Sequence, residues 1–243
     1  MAGHSHWAGI KHKKGRADKE RSKIFSKLSR EITVSAKLGD KDPDMNPRLR
    51  TAIQVAKQAN MPKDNISRAI SKSEMSGDKS YENLRYEGFG PCNIAFIIET
   101  LTDNKNRSAS SIRTVLQKNE GRLGESGSTT HLFYNCGVIH IDKKKCSEEK
   151  VFEMATNFGA KDCFNLDNYH EIISEKEDFY KIKSLFEKKI DNFEYSGIEW
   201  RPFSYLDLSK EQSEKIVEIL ESLEELDDVQ NIYTNANLEN IKL

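Results

Sequence analysis

Residues 138–200 decide the fold of this chain, and they read VIHIDKKKCSEEKVFEMATNFGAKDCFNLDNYHEIISEKEDFYKIKSLFEKKIDNFEYSGIEW. Short runs rich in β-branched and aromatic residues alternate with two longer segments in which apolar residues recur at helical spacing. We predict strand, helix, strand, strand, helix and strand over residues 138–141, 147–158, 161–166, 169–173, 176–188 and 193–200. This order is the split βαβ, or ferredoxin-like, arrangement, so the segment predicts a small α/β domain.

The elements on either side of this segment look like two halves of a second α/β domain. Before it we predict strands at 84–89 and 93–101, a helix at 104–118 and a strand near 130–133. After it, Ser209 and Gln212 form a capping box that begins a helix ending near residue 226, and a last strand follows at 229–233. We therefore predict that the ferredoxin-like domain is inserted in this second domain.

The first 75 residues have the pattern of a helical domain. Asp18 caps a helix that ends at Gly39, and one face of it has apolar residues at positions 24, 28, 32 and 36, with Phe25 beside them. A second helix begins after Asn46 with Pro47 at its first position, and a third begins at Pro62. Helices of this length are marginal alone, so we predict that the three pack together.

The predicted fold class is therefore α+β with three domains. A basic N-terminal three-helix domain covers residues 1–78, a split α/β domain covers 79–133 plus 205–243, and the inserted ferredoxin-like domain covers 134–204. Apolar residues make up 36% of the chain, which suits several small cores better than one large core.

Charge is distributed very unevenly along the chain. The net charge is −1, but residues 1–75 contain 17 Lys and Arg against 8 Asp and Glu, a net of +9. Residues 205–243 contain 3 basic and 10 acidic residues, a net of −7. A basic head on an acidic body is typical of proteins that bind a polyanion, so we expect a phosphate backbone as the partner.

The candidate contact residues lie in a basic N-terminal arm and on the outward faces of the three helices. They are Lys11, Lys13, Lys14, Arg16, Lys19, Lys23, Lys27, Arg30, Arg48, Arg50, Lys63 and Arg68. The sequence has no zinc-finger spacing, heptad zipper or RNP-type aromatic strand, so we expect contacts to the phosphate backbone. The acidic helix at 211–228 is predicted to be a solvated face, with docking of a basic partner or covering of the chain's own head as alternatives.

No pattern in the sequence favours an enzyme, and we predict no metal, cofactor or small-molecule substrate. His4, His6 and His12 have no acidic or Cys partners at ligand spacing. The glycines at 121, 124 and 127 suggest a flexible loop rather than a phosphate-binding loop, because no Gly-Lys-Ser/Thr follows them. The polar residues 102–107 have two interpretations. Asp103 or Asn104 caps the following helix, or the acidic side chain in this run takes part in catalysis.

Targeting signals are also missing from the sequence. The longest apolar run covers only residues 94–98, far short of the ~20 residues that span a bilayer. The N-terminus has no apolar segment of the signal-peptide type, and the four cysteines show no C-x-x-C pair. We expect a cytoplasmic protein with reduced thiols and no membrane partner.

Several motifs resemble those of the YebC/PmpR family. They are HWAGIKHKK at 6–14, KIFSKL at 23–28, NPRLR at 46–50, NMPKDNI at 60–66, RAI at 68–70, YEGFGP at 86–91, LTDNKNR at 101–107 and DVQNIYTN at 228–235. In this family the Gly-Pro pair at 90–91 is often followed by glycines, whereas this chain continues with Cys92 and Asn93. The motifs follow one another in order over nearly the whole chain.

The resemblance implies a three-domain, non-enzymatic regulatory protein. Members of the family are described as probable transcriptional regulators that bind DNA, which makes transcription regulation in the cytoplasm the first expectation. Others, including mitochondrial translational activators of cytochrome oxidase, are similar to ribosome-associated factors, in some cases relieving stalls at proline-rich stretches. The alternative is therefore a translation factor, and the matched basic residues would form the contact surface in either role.

Overall fold

The computed structural model describes residues 17–75 and 81–238, with side chains described from 22 to 73 and from 81 to 238. In chain order the elements are α1 (Ala17–Leu38), α2 (Pro47–Gln58), α3 (Lys63–Met75), β1 (Glu82–Phe89), β2 (Ala95–Thr102), α4 (Lys105–Lys118), β3 (Arg122–Leu123), β4 (Phe133–Asp142), α5 (Glu148–Phe158), β5 (Asp162–Asn165), β6 (Tyr169–Glu175), α6 (Phe179–Glu187), β7 (Tyr195–Pro202), α7 (Lys210–Glu224) and β8 (Val229–Thr234). The predicted α+β fold class is confirmed. The chain divides into two compact units, and Phe133–Phe203 forms the second of them.

The three helices of the N-terminal head pack around their own apolar cluster. Ile32, Leu49, Ala56 and Ile66 are almost completely buried in it. Asn46 fixes the turn that leads into α2, because its side chain accepts a hydrogen bond from the Leu49 amide at 3.0 Å and donates to two carbonyl groups of the preceding segment. The Asn-Pro start of α2 is therefore both a helix cap and the link between α1 and α2.

The middle of α1 is more deeply buried than a helix with one apolar face requires. All five residues from Ile32 to Ala36 are buried, including Thr33, whose hydroxyl donates to the carbonyl of Ala69 in α3 at 2.8 Å. Ile24, predicted to lie in the apolar stripe, is instead 46% exposed. The stripe prediction is wrong at this position because the residues of this end of α1 that pack against the head core are Phe25 and Leu28.

The split α/β domain is built on a four-stranded antiparallel sheet with strand order β3-β1-β2-β8. Helices α4 and α7 pack on one face of this sheet, where Phe96 and Ile98 of β2 meet Ile112 and Leu220 of the helices. The capping box is confirmed, since Ser209 and Gln212 bond each other's main-chain amides at the start of α7. Strand β8 completes the sheet by pairing with β2, far away in sequence.

The second unit has the ferredoxin-like topology that the sequence predicts. Its strand order is β5-β6-β4-β7, and every neighbouring pair is antiparallel. Helices α5 and α6 cover one face, with Ile139 and Ile141 of β4 packed against Val151 and Phe186. The alternation along β4 places its odd-numbered residues in this core.

The strand predicted near residues 130–133 of the split domain does not form there. Residues Thr130–Leu132 instead form a single 3-10 turn, and Phe133 is the first residue of β4 in the inserted unit. The amides of Thr129 and Thr130 donate to the Glu87 carboxylate, at 2.7 and 2.9 Å, which removes them from any strand ladder. The strand prediction near 130–133 is therefore wrong except at Phe133, where β4 begins.

The turn between β1 and β2 contains two residues in the left-handed region. Cys92 has a φ of 57° and Asn93 a φ of 56°, both conformations that favour glycine. Asn tolerates this region better than most residues, whereas Cys does not. The two positions where the family resemblance implies glycines are therefore positions where the backbone needs positive φ.

Candidate nucleic-acid interface

The structure describes the side chains of only some of the predicted contact residues. Lys11, Lys13, Lys14 and Arg16 lie outside the described residues, and Lys19 belongs to α1 but its side chain is not described. The remaining seven are Lys23, Lys27, Arg30, Arg48, Arg50, Lys63 and Arg68. They separate into cations that contact the split domain and cations that face outward.

The cationic face of α1 meets the C-terminal end of α7. Lys23 forms an ion pair with Glu225 at 2.8 Å, in which the two side chains are 34% and 67% exposed. Lys27 donates to the carbonyl oxygen of Glu224 at 3.0 Å, one of the carbonyl groups that a helix leaves without an internal partner. An exposed ion pair of this kind contributes about 0.2–1 kcal/mol.

Arg30 makes the most extensive contact of this face. Its Nη1 donates to the carbonyl oxygens of Asp227 and Leu101, at 2.7 and 3.3 Å, and to the carboxylate of Asp228 at 3.0 Å. The guanidinium also lies 5.9 Å from the centre of the Tyr81 ring. The side chain is only 21% exposed. A row of cations that sequence periodicity assigned to solvent is therefore partly covered by the chain itself.

The acidic segment, residues 224–228, gives this contact an electrostatic basis. Four of its five residues are Glu or Asp, beginning with Glu224, the last residue of α7. Negative charge at the C-terminus of a helix is unfavourable, because the helix dipole is already negative there. The cations of α1 offset this local repulsion. The sequence alternative in which the acidic helix covers the chain's own head describes this contact.

The Asp228 carboxylate has several partners besides Arg30. It accepts hydrogen bonds from Ser108 at 2.7 Å, from Thr102 at 3.1 Å and from Arg107 at 2.8 Å. Burial alone would raise the pKa of Asp228, but the bonds from Ser108, Arg107 and Thr102 lower it below its ordinary value. The carboxylate is therefore held ionised within the split domain.

The polar run at 102–107 has a structural role. Asn104 caps α4 by accepting a hydrogen bond from the Arg107 amide at 3.1 Å, as one of the sequence alternatives predicts. Arg107 pairs with both Asp228 and Asp103, and these bonds raise its pKa. The Arg107 side chain is 51% exposed, and no local sequence pattern indicates its partner Asp228, which is 121 residues away.

Arg48 also contacts other parts of the same unit. It binds the carboxylate of Glu31 in a bidentate manner, at 2.8 and 3.1 Å, and donates to Asn83 of β1 at 3.3 Å. Paired geometry of this kind fixes the guanidinium in one orientation. Arg48 thus stabilises the start of α2 against α1.

The outward cations form a second group on α2 and α3. Arg50, Lys63 and Arg68 are exposed. The guanidinium of Arg50 bonds the Asp44 carbonyl at 3.3 Å, and that of Arg68 bonds the Asn65 side chain at 2.7 Å. Lys57 is exposed as well, and the sequence analysis omitted it although it lies in the last turn of α2. These cations are accessible to a phosphate backbone without rearrangement of the head.

The glycine-rich loop at 121–128 encloses a carboxylate of the protein itself. Glu87 accepts hydrogen bonds from the amides of Gly127, Thr129 and Thr130 and from the two threonine hydroxyls. Burial would raise the pKa of Glu87, but these five bonds lower it to about 2. Amide groups that converge in this way would suit a phosphate, yet here they are already used. The loop is thus an anchor for β1.

The inserted unit contains a buried charged cluster that sequence reasoning did not find. Glu171 accepts two hydrogen bonds from Arg201, at 2.9 and 2.6 Å, and lies 2.9 Å from Nε2 of His140. Burial acts against ionisation of Glu171, but the bonds to His140 and Arg201 lower its pKa to about 2. The three side chains are at most 8% exposed. Arg201 Nε also lies 3.5 Å from the fully buried carboxylate of Glu199, whose two oxygens have no hydrogen-bond partner in the described part of the chain.

Metal and membrane chemistry receive no support from the described part of the chain. Within residues 17–75 and 81–238, no group of three or more His, Cys, Asp or Glu is placed to hold a metal ion. Over the same residues, no helix combines the length and the apolar character that crossing a membrane requires. The four cysteines are free thiols, and burial raises the pKa of Cys136 to about 12.

Comparison with known proteins assigns the chain to a family. Residues 5–76 match the family model described as the TACO1/YebC protein N-terminal domain, and residues 81–236 match the model described as the TACO1/YebC second and third domain. The chain belongs to the TACO1/YebC family. The recognition from sequence motifs is therefore confirmed.

Two other proteins are similar to this TACO1/YebC chain over nearly its whole length. A protein of Pelagibacter ubique (strain HTCC1062), named a probable transcriptional regulatory protein, is 56% identical over 240 residues, which cover 99% of this chain and 100% of the relative. The crystal structure of a conserved hypothetical protein from Aquifex aeolicus is 42% identical, with a TM-score of 0.84 and coverage of 98% of this chain and 99% of that chain.

Proposed function

We propose that this TACO1/YebC chain is a cytoplasmic, non-enzymatic regulator that binds nucleic acid through its helical head, with transcription regulation through DNA as its function. The relative from Pelagibacter ubique, named a probable transcriptional regulatory protein, supports the regulatory role. The phosphate backbone is the contact that the head's chemistry fits, since Arg50, Lys63 and Arg68 are exposed on α2 and α3.

The exposed positions of Arg50, Lys63 and Arg68 carry this proposal. These cations belong to a head with a net charge of +9 in residues 1–75, attached to a remainder with a net charge of −10. The phosphate backbone is attracted to such a head and repelled by the remainder, so the charge distribution orients the complex.

The test is a binding titration of the full chain with three labelled probes. These are a promoter duplex, the same duplex with scrambled sequence, and an RNA hairpin. We expect all three probes to bind, and the dissociation constant, Kd, to rise steeply with salt concentration. The promoter duplex should have the lowest Kd of the three. Equal affinity for promoter and scrambled duplex at every salt concentration would contradict a promoter-specific role.

A matched pair of variants assigns the binding surface. We expect Arg50→Gln/Lys63→Gln/Arg68→Gln to weaken binding of every probe. Lys118→Gln/Lys150→Gln/Lys188→Gln removes the same charge from exposed positions outside the head and should change affinity little. Equal weakening by the two triple variants would mean that overall charge, and not the head, governs binding.

Translation control at the ribosome is the second candidate function, because the outward cations do not require DNA. They lie on two short helices and suit any phosphate backbone, including that of ribosomal RNA. The measurement is co-sedimentation with ribosomes together with ribosome profiling of a deletion strain. We expect pausing at proline-rich codon runs if this role holds, and an unchanged profile would reject it.

A further inference from the structure

We propose that the acidic segment 224–228 is a displaceable latch on α1, which occupies Lys23, Lys27 and Arg30 in the unbound protein and yields them to a nucleic-acid phosphate backbone. The inference rests on the proposed function, since it concerns the same head. It adds a second phosphate-binding surface, beyond the outward cations, that the chain keeps covered until a polyanion competes for it.

Within the described residues, the contact between α1 and the acidic segment is made of polar groups. Its bonds include those of Lys23 to Glu225, of Lys27 to the Glu224 carbonyl, and of Arg30 to Asp227 and Asp228. The buried apolar cluster of the head contains residues of α1, α2 and α3 and the loop between them, and that of the split domain contains residues from 86 onward. Neither cluster includes residues of the other, so separating the two faces disrupts no apolar core shared by the side chains of residues 22–73 and 81–238.

When α1 moves away from the acidic segment, the polar groups of that segment either keep other hydrogen-bond partners or become hydrated. Asp228 keeps its bonds from Ser108, Thr102 and Arg107 when Arg30 leaves. Glu225 is mostly exposed and is readily hydrated. The carbonyl oxygens of Glu224 and Asp227 lie at a helix end, where water satisfies such groups. Separation of α1 from the acidic segment therefore leaves none of these groups both buried and without a partner.

The α1 cations bind oxygen acceptors both when the acidic segment covers them and when nucleic acid replaces that segment. Carboxylate and carbonyl oxygens hold the three α1 cations now, and phosphate oxygens accept charge-assisted hydrogen bonds from lysine and arginine in the same way. A duplex offers many phosphates at once and releases counterions on binding. The latch thus favours partners with a dense phosphate backbone over isolated anions.

The experiment measures the affinity of full-length variants for a short labelled duplex. The latch variant Glu224→Gln/Glu225→Gln/Asp227→Asn removes three charges next to α1 and leaves Asp228 intact. The matched control Glu211→Gln/Glu214→Gln/Glu218→Gln removes three charges earlier in α7, at exposed positions. We expect the latch variant to bind at least about threefold more tightly than the control, because only it weakens the competitor of the phosphates.

The α1 side supplies the second measurement. Binding is followed by plotting the logarithm of the observed association constant, Kobs, against the logarithm of the salt concentration. We expect Lys23→Gln/Lys27→Gln to make this slope smaller in magnitude by about 1.8, because two phosphate contacts are lost. A permanent structural contact would leave that slope at the wild-type value. If the triple latch variant does not fold, Glu225→Gln alone, at an exposed position, should still exceed Glu218→Gln in affinity.

The outcomes separate the latch from the proposed function. If wild type binds but the latch variant matches its control and the salt slope of the lysine variant is unchanged, the latch is wrong and the proposed function stands. If neither wild type nor the latch variant binds DNA or an RNA hairpin at low salt, both are wrong. If only the latch variant binds, the latch is supported. The wild-type protein is then mainly in the state in which the acidic segment covers α1.

Discussion

Arg30 of α1 and Asp228, which follows α7, form an ion pair of 3.0 Å that joins the helical head to the split α/β domain. The two residues are 198 positions apart, and each is mostly buried. Asp228 also organises Thr102, Arg107 and Ser108 at the start of α4. One carboxylate thus links the motif at 101–107, the motif at 228–235 and the basic face of the head.

The Glu87 carboxylate is expected to be one of the most stabilising polar groups in the split domain. Glu87→Gln replaces one acceptor oxygen with an amide donor that faces main-chain N–H groups, so several bonds are lost together. We predict a loss of about 2–4 kcal/mol in the free energy of unfolding, measured by urea denaturation. Glu125→Gln, at an exposed position of the same loop, is the control and should change little.

Low pH should destabilise the protein over a pH range that the pKa of Glu87 determines. The pKa of Glu87 is about 2 in the folded protein, against an ordinary value of 4.5. A carboxylate with a lowered folded pKa stabilises the protein above its unfolded pKa, and this contribution disappears as pH falls through the folded value. We predict that the free energy of unfolding falls between pH of about 4.5 and about 2. The fall should be shallower in Glu87→Gln, and identical slopes would contradict the assignment.

Cys92 should be destabilising where it stands. Its φ of 57° favours glycine, and a residue with a Cβ costs about 1–2 kcal/mol in this region. We predict that Cys92→Gly raises the free energy of unfolding by up to about 1 kcal/mol, after the entropy cost of glycine. Asn93→Gly should gain less because Asn tolerates positive φ, and a destabilised Cys92→Gly in thermal melting would show that the bond from Gln212 to Cys92 matters more.

The buried ion pair of the inserted unit should be far more sensitive than an exposed one. Arg201→Met leaves Glu171 buried with only His140 as a partner, and we predict a loss of about 3–5 kcal/mol. Lys161 and Glu175 form an exposed pair of 2.7 Å, and Lys161→Met should cost at most about 1 kcal/mol. Equal losses in urea denaturation would mean that the Glu171 cluster is not desolvated.

Sequence reasoning reached the elements whose signals are local. The Asn46-Pro47 helix start, the Ser209–Gln212 capping box and the order of strands and helices in the inserted unit each depend on residues close together in the chain. Such signals act through helix caps, turn residues and apolar periodicity. The structure confirms them for that reason.

The interactions that sequence reasoning missed join distant residues. Nothing near Glu87 indicates that the loop at 127–130 will bind its carboxylate, and nothing near Arg30 points to Asp228. The helical periodicity of α1 correctly places its cations on one face, but it cannot show that this face meets another part of the chain. The same limit applies to Glu171 and Arg201, which are 30 residues apart.

The most direct test of the central claim is the salt dependence of duplex binding by the outward-cation variant. If Arg50, Lys63 and Arg68 contact phosphates, the triple Gln variant should have a slope of log K_obs against log salt smaller in magnitude by about 2.7 than wild type. The control Lys118→Gln/Lys150→Gln/Lys188→Gln should keep the wild-type slope. The same slope in all three proteins would contradict nucleic-acid binding through the helical head.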